Sequence, residues 1–87
     1  MNAEKVFTND NFRILSILYS RKDETNLVKI TQLELAEELH MSRATINMIF
    51  KTLKENGYLT HNTKRVGHYY LTAEALKVIE TFRSLKY

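Results

Sequence analysis

The sequence predicts a mainly α, α+β fold: a three-helix core, a β-hairpin beside it and a C-terminal helix. Three observations carry that prediction. Two capped helical stretches with a tight turn between them run from Gln32 to Leu53 (QLELAEELHMSRATINMIFKTL). Gly57 follows as a helix stop, and the apolar period then changes from helical to alternating in Tyr58–His61 and His68–Leu71. Behind Thr72 a helical stripe returns in Leu76, Ile79 and Phe82.

The 87 residues are read as one domain, 1–87. A chain of this size buries a modest fraction of its surface, so a partner subunit is expected to help its stability. The net charge of +3 is mildly basic. The excess is clustered: residues 41–70 hold Arg43, Lys51, Lys54, Lys64 and Arg65 against Glu55 alone, whereas residues 1–40 carry more acid than base. A clustered positive stripe suits a phosphate-binding face, although a solvated charged surface would give the same count. With no cysteine, disulfides and thiolate metal sites are excluded. No apolar run reaches membrane-spanning length and no signal-peptide pattern opens the chain, so no membrane partner and a cytoplasmic location are expected.

In chain order, residues 1–7 read as a flexible arm. Thr8 or Asn9 can cap a helix over 10–20, where Asp10 suits the dipole of the first turn. That helix is apolar on most sides (Phe12, Ile14, Leu15, Ile17, Leu18 and Tyr19), which points to a second partner surface. Residues 21–27 form a polar loop, and 27–30 a short strand. Thr31 and Glu34 make a capping box that opens a helix ending near His40, with Leu35, Ala36 and Leu39 inward and Glu34, Glu37 and Glu38 outward. Ser42 caps the next helix, to about Asn56, whose inner stripe is Ile46, Ile49, Phe50 and Leu53. Gly57 takes the left-handed position of a Schellman stop, in which Tyr58 and Leu53 meet. The hairpin 58–71 has a polar, basic tip, and Thr72 caps a last helix over 73–85. The order places a helix-turn-helix at 32–56 and a wing at 58–71, the layout of a winged helix.

Ile30–Leu71 resembles the winged helix-turn-helix of the MarR and ArsR groups of bacterial regulators. The matching residues are Gln32, Leu35-Ala36, Leu39, Ser42-Arg43-Ala44-Thr45-Ile46, Leu53, Glu55-Asn56-Gly57-Tyr58-Leu59 and Tyr70-Leu71-Thr72. The chain departs from that pattern in having His40 at a turn position usually held by Gly, and Ala75 a few residues after the wing. It is also too short for the long dimerisation helices and ligand pocket of typical MarR proteins, so ligand sensing is not carried over. Metal sensing is not carried over either, for want of Cys. A thinner likeness, in Arg65-Val66-Gly67, Tyr70-Leu71 and Val78-Ile79-Glu80, is to TubR-type adaptors, which bind plasmid centromere repeats and link them to a tubulin-like filament.

The expected function is sequence-specific binding of double-stranded DNA by a small dimeric transcriptional repressor. The alternatives are a plasmid or phage partition adaptor, with a filament protein as partner, and a winged helix used only for protein–protein contact. On the outer face of the second motif helix, Arg43 suits guanine, Asn47 adenine, and Ala44 or Met48 a thymine methyl. Ser42 and Thr45 near the helix start suit phosphate, as do Lys51 and Lys54. Lys64 and Arg65 at the wing tip suit the backbone or a narrow minor groove. His68 is a further phosphate candidate. Each of these also reads as an ordinary surface residue.

Ile14, Ile17, Val78 and Phe82 are the expected homodimer interface. Cross-strand pairing could bring His61 and His68 together, yet two histidines without a third ligand make a weak metal site, so no metal and no cofactor is expected. No catalytic constellation is present, and an enzyme is not expected.

Overall fold

Thr31 and Ser42 start the two central helices because each hydroxyl accepts from the amide three residues on, Glu34 N at 3.0 Å and Thr45 N at 3.1 Å. The computed structural model describes the backbone of residues 9–86. The elements are α1 (Asn9–Arg21), β1 (Leu27–Lys29), α2 (Gln32–Leu39), α3 (Arg43–Glu55), β2 (Leu59–His61), β3 (His68–Leu71) and α4 (Ala73–Lys86). This is a winged helix-turn-helix architecture, mainly α with a three-stranded antiparallel wing. The expected arm, residues 1–7, and the Thr8 cap lie outside the described residues. Asn9 falls inside α1 rather than capping it.

Both motif helices end in Schellman stops. After α2, Met41 N donates to Ala36 O (3.0 Å) and His40 N to Glu37 O (3.4 Å), with His40 in the left-handed region (φ 55°, ψ 42°). After α3, Tyr58 N donates to Leu53 O (2.9 Å) and Gly57 N to Lys54 O (3.0 Å) around Gly57 at φ 79°. Thr72 then ties the second stop to α4. Its hydroxyl donates to Gly57 O (2.7 Å) and accepts from Ala75 N (3.2 Å).

The sheet has the order β1-β3-β2. Leu27, Val28 and Lys29 face Tyr70, Tyr69 and His68, while Leu59, Thr60 and His61 face Leu71, Tyr70 and Tyr69. The short strand thus joins the hairpin as its third member. Ile30 N, just past β1, donates to Gly67 O (2.8 Å), which pins the base of the wing to the start of α2. The register also corrects the expected meeting of His61 and His68. His61 shares a face with its partner Tyr69, and His68, one residue before Tyr69, points to the other face opposite Lys29.

One core is built from every element. Ile14, Leu15 and Leu18 of α1 meet Leu35 and Ala36 of α2, the α3 stripe Ile46, Ile49, Phe50 and Leu53, and Tyr69 and Leu71 of β3. Ala75 and Ile79 of α4 complete it. Ile14 is therefore not an interface residue: it is fully enclosed by its own chain and has no surface to offer a second subunit. Much of the surplus apolar surface of α1 is answered within the chain as well. Phe12 lies 4.7 Å from Phe82 between ring centroids, and the Tyr19 ring carries Arg83 at 4.6 Å. Ile17, Val78 and Phe82 are half-buried. Among the described residues no helix is long and apolar enough to cross a membrane.

Candidate nucleic-acid interface

With four side chains of α3 in the core, the helix must turn its opposite face outward. Ala44, Met48, Lys51 and Glu55, spaced four, three and four apart, run along that exposed face, and Met48 is 67% exposed. Arg43, Asn47 and Lys54 form the flank turned toward α2 and the wing. Arg43 and Asn47 are exposed. Lys54 is half-buried, with its Nζ 5.7 Å from the centroid of the Tyr69 ring.

At the helix start, Ser42 is exposed and donates through Oγ to Thr45 Oγ1 (2.8 Å) while capping Thr45 N. A helix start of this kind, with first-turn amides beyond the one that the cap takes, suits an anion. The wing tip turns through Asn62–Gly67 with Lys64, Arg65 and Val66 exposed. Lys64 N donates to Asn62 Oδ1 (3.0 Å) and Arg65 N to Asn62 O (3.2 Å), so Asn62 shapes the tip that presents both cations. His68 is half-buried at the wing base, on the sheet's outer face.

Tip and helix are not separate surfaces. Arg43 of α3 and Val66 and Gly67 of the wing line one shallow cleft, with Thr31, Gln32, Leu33 and Tyr69. A second concavity is lined by Gln32, Arg43, Ala44 and Asn47. Gly67, at φ 76°, allows this closeness: a Cβ there would stand 3.0 Å from Thr31 Cγ2 and 3.3 Å from the backbone of Ile30 and Thr31.

Two side chains that the sequence reading did not name as DNA contacts line the cleft. Gln32 Oε1 accepts from Asn47 Nδ2 (3.2 Å) and its Nε2 donates to Tyr69 Oη (3.2 Å). Val66, 87% exposed, adds an apolar group to the basic tip. The signals were present: a glutamine as the first residue of α2, facing the start of α3, and a lone valine in a polar turn.

Two of the acidic residues of α2, Glu34 and Glu38, are engaged by other groups. Glu38 pairs with Arg21, which raises the guanidinium pKa above its ordinary value. The Glu34 carboxylate accepts from Thr31 N (2.9 Å), and this hydrogen bond holds its pKa below the usual range. Among the described residues no group of three His, Cys, Asp or Glu side chains is placed to hold a metal ion.

Comparison with known families agrees with this geometry. The Crp-like helix-turn-helix domain matches residues 12–79, from the first turn of α1 into α4. None of the curated proteins compared with the chain matches it. The matched span holds the whole motif, the wing and the cleft between them. The chain belongs to the Crp-like helix-turn-helix domain family and carries a DNA-binding helix-turn-helix.

Proposed function

We propose that this protein is a sequence-specific regulator of transcription that binds double-stranded DNA as a symmetric dimer and represses by occupying its operator. The observation that carries the reading is the cleft that Arg43, on the flank of α3, shares with Val66 and Gly67 of the wing turn, beside the exposed Lys64 and Arg65. In this reading α3 enters the major groove. Arg43 pairs with guanine, Asn47 with adenine, and Ala44 and Met48 lie against thymine methyl groups. Ser42, Thr45, Lys51 and Lys54 hold phosphates, Lys64 and His68 follow the backbone beside the wing, and Arg65 enters the adjacent minor groove.

The dimer would use the outer sides of α1 and α4. Ile17, Val78 and Phe82 keep part of their surface, and Leu85, 79% exposed, continues a shallow apolar groove with Val78. Two-fold symmetry then sets half-sites about 34 Å apart on an inverted repeat.

Gel-shift titrations against a randomised duplex library at several salt concentrations test this. Affinity should fall steeply with salt. Arg43→Ala should relax base preference at one position per half-site, losing about 1–3 kcal/mol of discrimination. Lys64→Ala should weaken all duplexes alike and reduce the salt slope by about one. Absence of binding to any duplex at low salt would remove the reading.

A further inference from the structure

The Tyr69 hydroxyl is where the core of the wing reaches the reading face. Tyr69 is 4% exposed, packed edge-on against Phe50 (4.8 Å between centroids) and stacked by His61 (4.8 Å). Its position is therefore set by the core. From it a chain of two hydrogen bonds runs outward: Gln32 Nε2 donates to Tyr69 Oη, and Asn47 Nδ2 donates to Gln32 Oε1.

A side-chain amide has an acceptor end and a donor end, so this chain has a direction. Gln32 occupies one N–H of Asn47 and leaves Asn47 Oδ1 and the second N–H for a base. That acceptor–donor pair matches the N6 donor and N7 acceptor of adenine. With the Gln32 amide turned over, its Nε2 would hold Asn47 Oδ1, and Asn47 would offer its N–H pair to the N7 and O6 of guanine. An exposed asparagine with no such tether turns broadly about its last torsion and presents both edges.

Resting on the proposed DNA-binding reading, we infer that Gln32 is a specificity-determining positioning residue. Held between the Tyr69 hydroxyl and Asn47, its amide in the observed orientation leaves the acceptor–donor edge of Asn47 to the base and so selects adenine at that step. The same contact links wing to base reading, because Tyr69 belongs to β3.

The test is selection of binding sites from a randomised duplex library, followed by titration, for the wild type and four variants. The wild type should prefer adenine at one position of each half-site, and Asn47→Ala should erase that preference alone. Gln32→Met, similar in length but unable to hydrogen-bond, should lower the preference about tenfold at the same position. The preference is read as the ratio of affinities for the adenine and guanine duplexes of one variant, so a uniform loss of affinity does not count toward it. Gln32→Glu still accepts from Asn47 and should keep the adenine preference, although its charge weakens binding to every duplex. Tyr69→Phe, which leaves the ring packed, should lose part of the preference.

Guanine favoured at that position, or a Gln32→Met variant with wild-type preference there, would overturn the inference while leaving DNA binding intact. A wild type without base preference would remove both readings.

Discussion

Single residues hold this chain in conformations that most residues avoid. Asn26 (φ 68°) and His40 (φ 55°) are both left-handed. His40 ends α2, and an imidazole there meets what the turn needs, although less freely than glycine. Asn26 belongs to a loop organised by Asp23, whose Oδ1 accepts from Thr25 Oγ1 (2.6 Å), Thr25 N (2.8 Å) and Leu27 N (3.1 Å). These bonds, the Thr25 hydroxyl foremost, hold the Asp23 pKa below the usual carboxylate range. A lowered native pKa means that the stabilisation is complete above the unfolded value, about 4, and is lost as pH falls through the native value. Asp23→Asn should therefore be less stable than wild type at pH 6, with the gap closing as the pH is lowered toward 2 in urea titrations. A gap independent of pH would show that the charge is not what matters.

At the scale of elements, the helices were readable because their signals are local. Thr31, Glu34, Ser42 and Gly57 each act within a few residues, and their caps and stops form as their spacing requires. The three strands were readable too, but the sheet was not: nothing local says that β1 pairs with β3, where backbone bonds from Ile30 N to Gly67 O and from Leu71 N to Asn26 O flank the pairing. The two glycines separate these cases. At Gly57 a Cβ would meet nothing within 4 Å, so Gly57→Ala should cost only the left-handed strain, about 1–2 kcal/mol. Gly67→Ala adds a collision with Thr31 and the backbone of Ile30, about 1–3 kcal/mol more. Because it pushes the wing from α2, it should also lower DNA affinity. Urea denaturation and gel shifts on the two variants check both points.

For the whole molecule, the allocation of α1 matters most. Its apolar residues exceed one face, and periodicity cannot say whether the surplus meets another subunit or another part of the same chain. Ile14 meets its own core, and Ile14→Ala should lose about 2–5 kcal/mol irrespective of protein concentration. Leu85 is instead outside the core, so Leu85→Asp should weaken self-association while leaving the unfolding free energy of the monomer within about 0.5 kcal/mol. Sedimentation across a concentration series distinguishes the two. A Leu85→Asp variant that associates like wild type would place the dimer contact elsewhere.

The sequence by itself determined the element order, the capped motif, the outward face of α3 and the basic wing tip, because caps, stops and apolar stripes act over a turn or two of chain. Only the tertiary structure decided which apolar residues of α1 remain surface, which faces His61 and His68 take, and that Gln32 bridges Tyr69 to Asn47. Each of these depends on residues far apart in sequence: Gln32 and Tyr69 are 37 positions apart. Such pairs meet only once strand register and helix packing are set, so no local pattern encodes them. The outward face was legible from α3 alone. What holds its asparagine in place became visible when the wing closed against α2.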